Sequence, residues 1–217
     1  MSKSFFSNRP DFSSFEKHIG ELRSQLSGAD PYLLEDRTGA RFLRLGEARG
    51  EFQLNLWRQA VTLSFPDYHA FQAPTREPLP AFNSALLIYY FVTADGTPLS
   101  GKWISFSELP DGRFYTQAFQ GYSGKELSRS FQNDQESFTR AAETLGGLHQ
   151  PLGDASFAFQ ALPRVPLLVA HWQGDEDFPS SFQILFDAEA CHYLPTDAYA
   201  IIGSTITRRL ISVSAER

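Results

Sequence analysis

Eight consecutive residues, "VPLLVAHW" (Val165–Trp172), carry apolar side chains on both faces of the strand they would form. Side chains alternate between the two faces of a sheet, so a strand that is apolar on both faces must be covered on both sides. The segment is therefore predicted to be a central strand, and the rest of the chain has to supply neighbouring strands and packing layers.

Alternation of apolar and polar residues predicts those neighbouring strands. Phe52, Leu54 and Leu56 alternate with polar residues, and the alternation resumes after Arg58-Gln59, which predicts a hairpin. The other segments predicted to be strands are "RFLRLG" (41–46), "KWISF" (102–106) and 157–161.

Apolar residues at spacings of three and four predict the helices. The first helix is expected from about Asp11 to Ser27, with a capping box and a left-handed stop at Gly28. Its stripe is Phe12, Phe15, Ile19, Leu22 and Leu26, and its capping box is Ser13 and Glu16. Further helices are predicted at 80–94, 125–131, 135–145 and 196–213. Strands early and late with helices between them predict an α+β fold, with mostly antiparallel sheets and helices at the N-terminus, middle and C-terminus.

The composition limits the domain count and the compartment. A chain of 217 residues that is 42% hydrophobic is expected to form one α+β domain, 1–217. A possible division into subdomains 1–73 and 81–217 lies at the proline-bearing connector "APTREPLP". The longest fully apolar run has eight residues, far below the ~20 that span a bilayer, so no membrane association is expected. The first residues contain no secretory signal pattern, which predicts a cytoplasmic location.

Charge and cysteine content exclude other classes of function. The net charge is −6 and no basic run exceeds Arg208-Arg209, which argues against a nucleic-acid partner. Cys191 is the only cysteine, so this chain alone cannot hold a disulfide framework or an iron–sulfur cluster, and no cofactor is evident.

The segment "GTPLSGKW" (96–103) comes within one residue of a phosphate-binding loop. Such a loop needs free backbone N–H groups, a metal-binding hydroxyl after the lysine and a helix that starts there. Here Pro98 removes one N–H group, Trp103 replaces the hydroxyl, and a strand is predicted to follow. The segment is therefore interpreted as a turn that delivers Lys102 and Trp103 onto a sheet.

Acidic residues near "GDEDFP" (174–179) offer a second candidate site. Asp175, Asp177 and Asp187 could bind a divalent metal through carboxylate oxygens. The favoured alternative is a turn followed by a short helix carrying Phe182, Leu185 and Phe186. Both alternatives stay open at this point.

The remaining candidate site residues are histidine, cysteine and tryptophan side chains. Adjacent residues diverge on any regular element, so Cys191 and His192 are not expected to act as a nucleophile and its base, and Cys191 is expected to be a small core residue. His171 is expected to be a hydrogen-bonded core histidine, with proton transfer as the alternative. Trp103 and Trp172 can stack on a planar ligand, although core packing also explains them.

Two stretches, 86–119 and 165–198, resemble a prokaryotic family that is common in anaerobes and is described as domain of unknown function 3786. The shared motifs are a small-Gly-Lys-Trp turn at 100–103, Glu-Leu-Pro-x-Gly at 108–112, "WQGDEDFP" at 172–179, Leu-Phe-Asp at 185–187 and Tyr-Leu-Pro at 193–195. The resemblance implies no activity. Some relatives are similar to modules joined to iron–sulfur or corrinoid-protein domains, which implies a role in anaerobic one-carbon or redox metabolism.

The resulting hypothesis is a binding module for a small molecule or a protein, acting as an accessory factor in such metabolism. The alternative is a metal-dependent enzyme that uses Asp175, Asp177 and Asp187. If "KWISF" and "VPLLVAHW" are neighbouring strands, their ends bring Lys102, Asp111, Arg113 and Asp175 together. The candidate functional surface is Lys102, Trp103, Asp111, Arg113, His171, Trp172 and Asp175.

Overall fold

The computed structural model describes residues 12–215, and it describes side chains from residue 17 onward. The predicted capping box of Ser13 and Glu16, and the stripe positions Phe12 and Phe15, lie outside the described side chains. The helices are α1 (Phe12–Gln25), α2 (Pro31–Thr38), α3 (Ala81–Thr93), α4 (Gly112–Gly121), α5 (Gly124–Phe131), α6 (Gln135–Thr144) and α7 (Thr196–Ala215). None of these helices is long and apolar enough to cross a membrane.

The strands form two antiparallel sheets, which confirms the α+β prediction. The first sheet has the order β1-β2-β3-β4, formed by β1 (Arg41–Arg44), β2 (Gly50–Leu56), β3 (Gln59–Phe65) and β4 (Ala70–Gln72). The second has the order β5-β9-β8-β7-β6, formed by β5 (Trp103–Ser105), β6 (Leu148–His149), β7 (Ala155–Leu162), β8 (Val165–Trp172) and β9 (Ser181–Asp187). The apolar segment β8 is the middle strand, as predicted.

The first sheet follows its alternating sequence. Phe52, Leu54 and Leu56 are buried on β2, and Val61 and Leu63 are buried on β3. The rings of Phe52 and Phe91 lie 4.8 Å apart, so α3 covers this sheet by aromatic packing. The prediction of a helix rather than a strand at 80–94 is confirmed.

One face of the second sheet is closed by helices. On β9, Phe182, Ile184 and Phe186 point to this face, and all three are buried. Phe182 contacts Phe131 of α5 and Phe138 of α6, while Phe186 contacts Phe119 of α4 and Tyr199 of α7. The predicted stripe of α7 is buried, as expected, at Tyr199, Ile202, Ile206 and Leu210.

The two sheets meet at the tip of the β2–β3 hairpin. The backbone N–H of Trp57 donates a hydrogen bond to the carbonyl of Ala161 at the end of β7 (2.9 Å). One cluster of buried apolar side chains includes residues from both sides of the connector 73–80. The subdomain division at this connector stays a prediction.

The prediction of a short helix carrying Phe182 and Leu185 is wrong, because these residues belong to strand β9. The apolar positions fit both a helical period and a strand period, and pairing with β8 decides for the strand. Helices α2 and α4 were not predicted. The signals for α2 are present in the sequence, with Asp30 as N-cap, a proline at the first turn and left-handed Gly39 after the end.

Two helical glycines offer a matched test of packing. A methyl group at Gly203 of α7 would lie 2.5 Å from the ring of Phe119, whereas one at Gly20 of α1 would meet nothing within 4 Å. We expect Gly203→Ala to destabilise the fold by about 1–3 kcal/mol through overpacking. Gly20→Ala should stabilise it by about 0.5–1 kcal/mol, because glycine is unfavourable within helices. Urea unfolding measures both, and equal effects would contradict the packing of α7 on α4.

Candidate functional site

The face of the second sheet opposite the helices carries an open depression with a cavity volume of about 580 Å³. We call it the tryptophan groove. Its lining includes Lys102 and Trp103 on one side, the loop 150–152 on the other, and Trp172, Gln183 and Leu185 on the strands between. The structure thus brings together three of the predicted site residues, namely Lys102, Trp103 and Trp172.

The strand register gives the groove its length. Trp103 lies opposite Asp187 at one end of β9, and Trp172 lies opposite Ser181 at the other end. Six residues along a strand correspond to about 20 Å, so the two tryptophans stand far apart on opposite flanks of β9. Gln183 lies between them and is exposed, so the groove is elongated, with an indole near each end and polar and apolar groups between.

Lys102 supplies the charge of the groove. Its side chain is exposed, and its ammonium group forms no ion pair with a carboxylate of residues 17–215. No acidic residue lines the groove. The groove therefore presents one unpaired positive charge beside aromatic and amide side chains.

Asp187 holds the turn that presents Lys102 and Trp103. Its Oδ1 accepts hydrogen bonds from the N–H (3.1 Å) and hydroxyl (3.2 Å) of Ser100 and from the Glu189 N–H (2.9 Å). Its Oδ2 accepts the N–H of Gly101 (2.7 Å). Gly101 has a φ of 69°, a conformation that favours glycine. The prediction that a strand and not a helix follows Lys102 is thus confirmed, because β5 begins at Trp103.

The opposite wall of the groove is the loop 150–152. The Ser156 hydroxyl donates to the carbonyl of Gln150 (2.8 Å) and accepts the N–H of Leu152 (3.2 Å). A methyl group at Gly153 would lie 2.6 Å from the carbonyl of His171 and 3.1 Å from the indole of Trp172. Glycine at this position therefore lets the loop pass closely over β8 and fixes the place of Trp172. Sequence reasoning missed this loop, and a Gly-Asp pair after Pro151 was its only signal.

A second set of contacts ties the same turn to the short helical turn Ala190–His192. His192 Nδ1 lies 2.6 Å from Asp95 Oδ2 and 3.2 Å from the Thr97 hydroxyl. Its Nε2 lies 3.6 Å from a carboxylate oxygen of Glu189. The hydrogen bond from His192, together with those from the N–H and hydroxyl of Thr97, lowers the pKa of Asp95 from 3.8 to about 2. Cys191 is exposed, so the expectation that it is a small core residue is wrong.

His171 lies on the helical face of β8, away from the groove. Its Nε2 lies 3.1 Å from the carbonyl of Gln132, and its ring stacks on Phe182 at 4.3 Å. Nδ1 is buried and has no hydrogen-bond partner among the described residues. Burial lowers the pKa of His171, which favours the neutral ring. The expectation of a hydrogen-bonded core histidine is confirmed.

The structure does not bring Asp175, Asp177 and Asp187 together. Asp175 precedes β9 and Asp187 ends it, a separation of about 20 Å along the strand. Asp175 Oδ1 instead accepts the N–H groups of Asp177 (2.9 Å) and Phe178 (2.8 Å), which closes a turn and lowers the pKa of Asp175. No group of three or more His, Cys, Asp or Glu side chains suited to a metal ion occurs within residues 17–215.

The remaining predicted residues, Asp111 and Arg113, do not line the groove. They lie at the start of α4, where Asp111 has a left-handed φ of 59° and both side chains are exposed. The expected cluster of Lys102, Asp111, Arg113 and Asp175 depended on β5 and β8 being neighbours. That premise is wrong, because β9 lies between the two strands.

Comparison with known proteins identifies the family of the chain and no individual relative. A family model described as "Domain of unknown function (DUF3786)" matches residues 30–209. No curated protein and no solved structure matches the chain. The match spans both sheets and every residue of the tryptophan groove.

A first prediction concerns Asp187. Because its two oxygens accept three backbone N–H groups, Asp187→Asn should turn an amide donor toward one of them and destabilise the fold by about 2–3 kcal/mol. Asp177→Asn, at an exposed carboxylate, should change the free energy of unfolding by less than about 0.5 kcal/mol. Urea unfolding measures both variants. A neutral Asp187→Asn would contradict the anchoring role.

A second prediction concerns Asp95 and pH. The pKa of Asp95 is lower in the folded state, so its carboxylate stabilises the fold above about pH 4, and this contribution is lost as the pH falls toward 2. The difference in unfolding free energy between the wild type and Asp95→Asn should therefore be full at pH 5 and shrink below pH 4. His192→Gln should remove most of that difference as well. A deficit that does not vary with pH would contradict the contact.

Proposed function

The chain belongs to the DUF3786 family, and we propose that it is a binding protein whose tryptophan groove takes a flat ring system carrying an anionic group. One observation carries the proposal: two tryptophans and an unpaired lysine line a single open groove on the sheet face opposite helices α4 to α7. Its volume of about 580 Å³ lies within the range of small-molecule sites, which is about 300–1,000 Å³.

The chemistry of the lining supports this ligand class. Indole rings bind flat ring systems by stacking, which adds about 0.5–1.5 kcal/mol beyond the buried area. The ammonium of Lys102 complements a carboxylate or phosphate on the same ligand, since no acidic side chain lines the groove. The amide of Gln183 can donate and accept hydrogen bonds and so orient the ligand.

The position of the walls favours binding without large rearrangement. Asp187 fixes the side that carries Lys102 and Trp103, and Ser156 fixes the loop 150–152. Rigid walls limit the conformational entropy that is lost on binding.

The family resemblance supplies the finer part of the proposal. Relatives similar to modules joined to corrinoid-protein or iron–sulfur domains suggest a cytoplasmic accessory role in anaerobic metabolism. Corrinoids and other tetrapyrroles are large ring systems with amide or carboxylate groups, so they belong to the ligand class that the groove favours. With Cys191 as its only cysteine, this chain would meet an iron–sulfur cluster only on a partner protein.

The alternative, a metal-dependent enzyme that uses Asp175, Asp177 and Asp187, has no supporting geometry. The carboxylate of Asp187 is occupied by backbone donors, and that of Asp175 closes its own turn. Titration with Mg²⁺ or Mn²⁺ tests this alternative directly. A rise in melting temperature that Asp177→Asn abolishes would support it.

Fluorescence titration tests the proposal, because two of the three tryptophans of the chain line the groove. We expect a cobalamin, a linear tetrapyrrole or a flavin nucleotide to quench the emission and to raise the melting temperature. Trp103→Leu should weaken binding by about twofold to tenfold, because Trp103 lies next to Lys102. Trp172→Leu should do so only for ligands long enough to reach the other end of the groove, about 20 Å away, and Trp57→Phe should leave the affinity unchanged. Because a coloured ligand also lowers the emission by absorbing light, calorimetry provides an independent measurement of binding.

A matched pair of lysine variants tests the charge. Lys102→Met should remove the salt dependence of binding, whereas Lys125→Met, on the exposed face of α5, should keep it. Ligands of this class that bind equally well to the Trp103 and Trp172 variants would place the site elsewhere. A panel in which no ring compound binds would contradict the proposal.

A further inference from the structure

A second depression, with a volume of about 110 Å³, lies where the tip of the β2–β3 hairpin meets β7 and α7. We call it the arginine cavity. Its lining includes Trp57, Arg58, Gly146, Pro166, Ile206 and Arg209. It is separate from the tryptophan groove, with which it shares no lining residue.

Two arginines line this cavity without a negative partner in the described part of the chain. Neither Arg58 nor Arg209 forms an ion pair or a side-chain hydrogen bond with another residue of the described part of the chain. No Asp or Glu lines the cavity, although the chain has 25 acidic residues and a net charge of −6. Half-buried Arg209 loses hydration without gaining a counter-ion, and burial lowers its pKa. Such a cation is stabilised by an anion that enters the cavity.

Arg209 contacts a neighbouring aromatic ring. Its guanidinium carbon lies 5.2 Å from the ring centre of Trp57, which is a cation–π contact. The backbone N–H of Trp57 donates a hydrogen bond to the carbonyl of Ala161, which fixes the main chain at the hairpin tip. Arg209 and Trp57 are thus in contact at the cavity before any ligand arrives.

The position of Arg58 is also set by the backbone. Trp57 and Arg58 have φ values of 53° and 66°, in the left-handed region where two-residue hairpin turns normally place Asn-Gly. A methyl group at Gly146 would lie 1.3 Å from Arg58 Nη1, so only glycine leaves room for this guanidinium. Backbone conformations of this kind are unfavourable and persist where the surrounding structure holds them, which is common at binding sites.

We propose that the arginine cavity binds a phosphate group. Two guanidinium groups match the two negative charges of a phosphate, and arginine binds its oxygens through paired hydrogen bonds. A volume of about 110 Å³ is large enough for one tetrahedral oxyanion. The phosphate is either free inorganic phosphate or the end group of a molecule that remains outside.

Thermal unfolding and calorimetry at constant ionic strength test this site. Inorganic phosphate and glycerol phosphate serve as probes, with sodium chloride and sodium acetate as references. We expect phosphate to raise the melting temperature, and Arg58→Gln and Arg209→Gln each to weaken binding at least about tenfold. Arg208→Gln is the matched control, because it makes the same charge change one residue away on α7, at an exposed side chain that bonds Ser204.

The outcomes separate binding from a structural role. Arg209→Gln also removes the stack on Trp57 and can disturb the fold, whereas Arg58 is exposed and its loss leaves that stack in place. Binding of both probes indicates a free phosphate site, and binding of glycerol phosphate alone indicates the end group of a larger ligand; either result supports the proposal. It is overturned if acetate or chloride gives the same shift, if Arg58→Gln binds phosphate as the wild type does, or if phosphate has no effect.

Discussion

The carboxylate of Asp187 fixes the relation between the chain segment after α3 and the central sheet. It is 2% exposed and accepts the N–H groups of Ser100, Gly101 and Glu189. A buried carboxylate is tolerated only when such donors replace the water it has lost. Strand β5 pairs with β9 over three residues, too few to fix its position by the ladder alone. Asp187, together with the contacts of His192 with Asp95 and Thr97, therefore anchors the side of the tryptophan groove that carries Lys102.

The two faces of the second sheet are closed by different means. Four helices cover one face with aromatic side chains that pack on Phe182 and Phe186. On the other face Leu168 and Ala170 of β8 are fully buried, yet the exposed side chain of Gln183 lies beside them on β9. The loop 150–152 passes over part of this face. A sheet covered by helices on one side leaves open space on the other, where the tryptophan groove lies, whereas the arginine cavity lies beside α7 at the hairpin tip.

The sequence predicted elements whose period is unambiguous and failed where two periods fit the same letters. Alternation identified β2 and β3, apolar residues on both faces identified β8, and helical spacing identified α1, α6 and α7. At 181–187 the apolar residues satisfy both periods, so only pairing with β8 distinguishes a strand from a helix. Residue types indicated Lys102, Trp103 and Trp172 as candidate site residues. The order of the strands in a sheet is a non-local property that the spacing of residues does not encode, so the expected cluster with Asp111, Arg113 and Asp175 was wrong. The same limitation made Asp187 resemble a metal ligand, because its donors lie 86 and 87 residues earlier in the chain.

The two candidate sites use one strand in common and are still independent. Pro166 lines the arginine cavity and Trp172 lines the tryptophan groove, at opposite ends of β8 and on the same face. Six residues separate them by about 20 Å, and the buried side chains of Leu168 and Ala170 lie between. Sites this far apart with no shared side chain influence each other only through an element with two arrangements. The paired centre of a five-stranded sheet is poorly suited to that role, so occupancy of one site should leave affinity at the other unchanged.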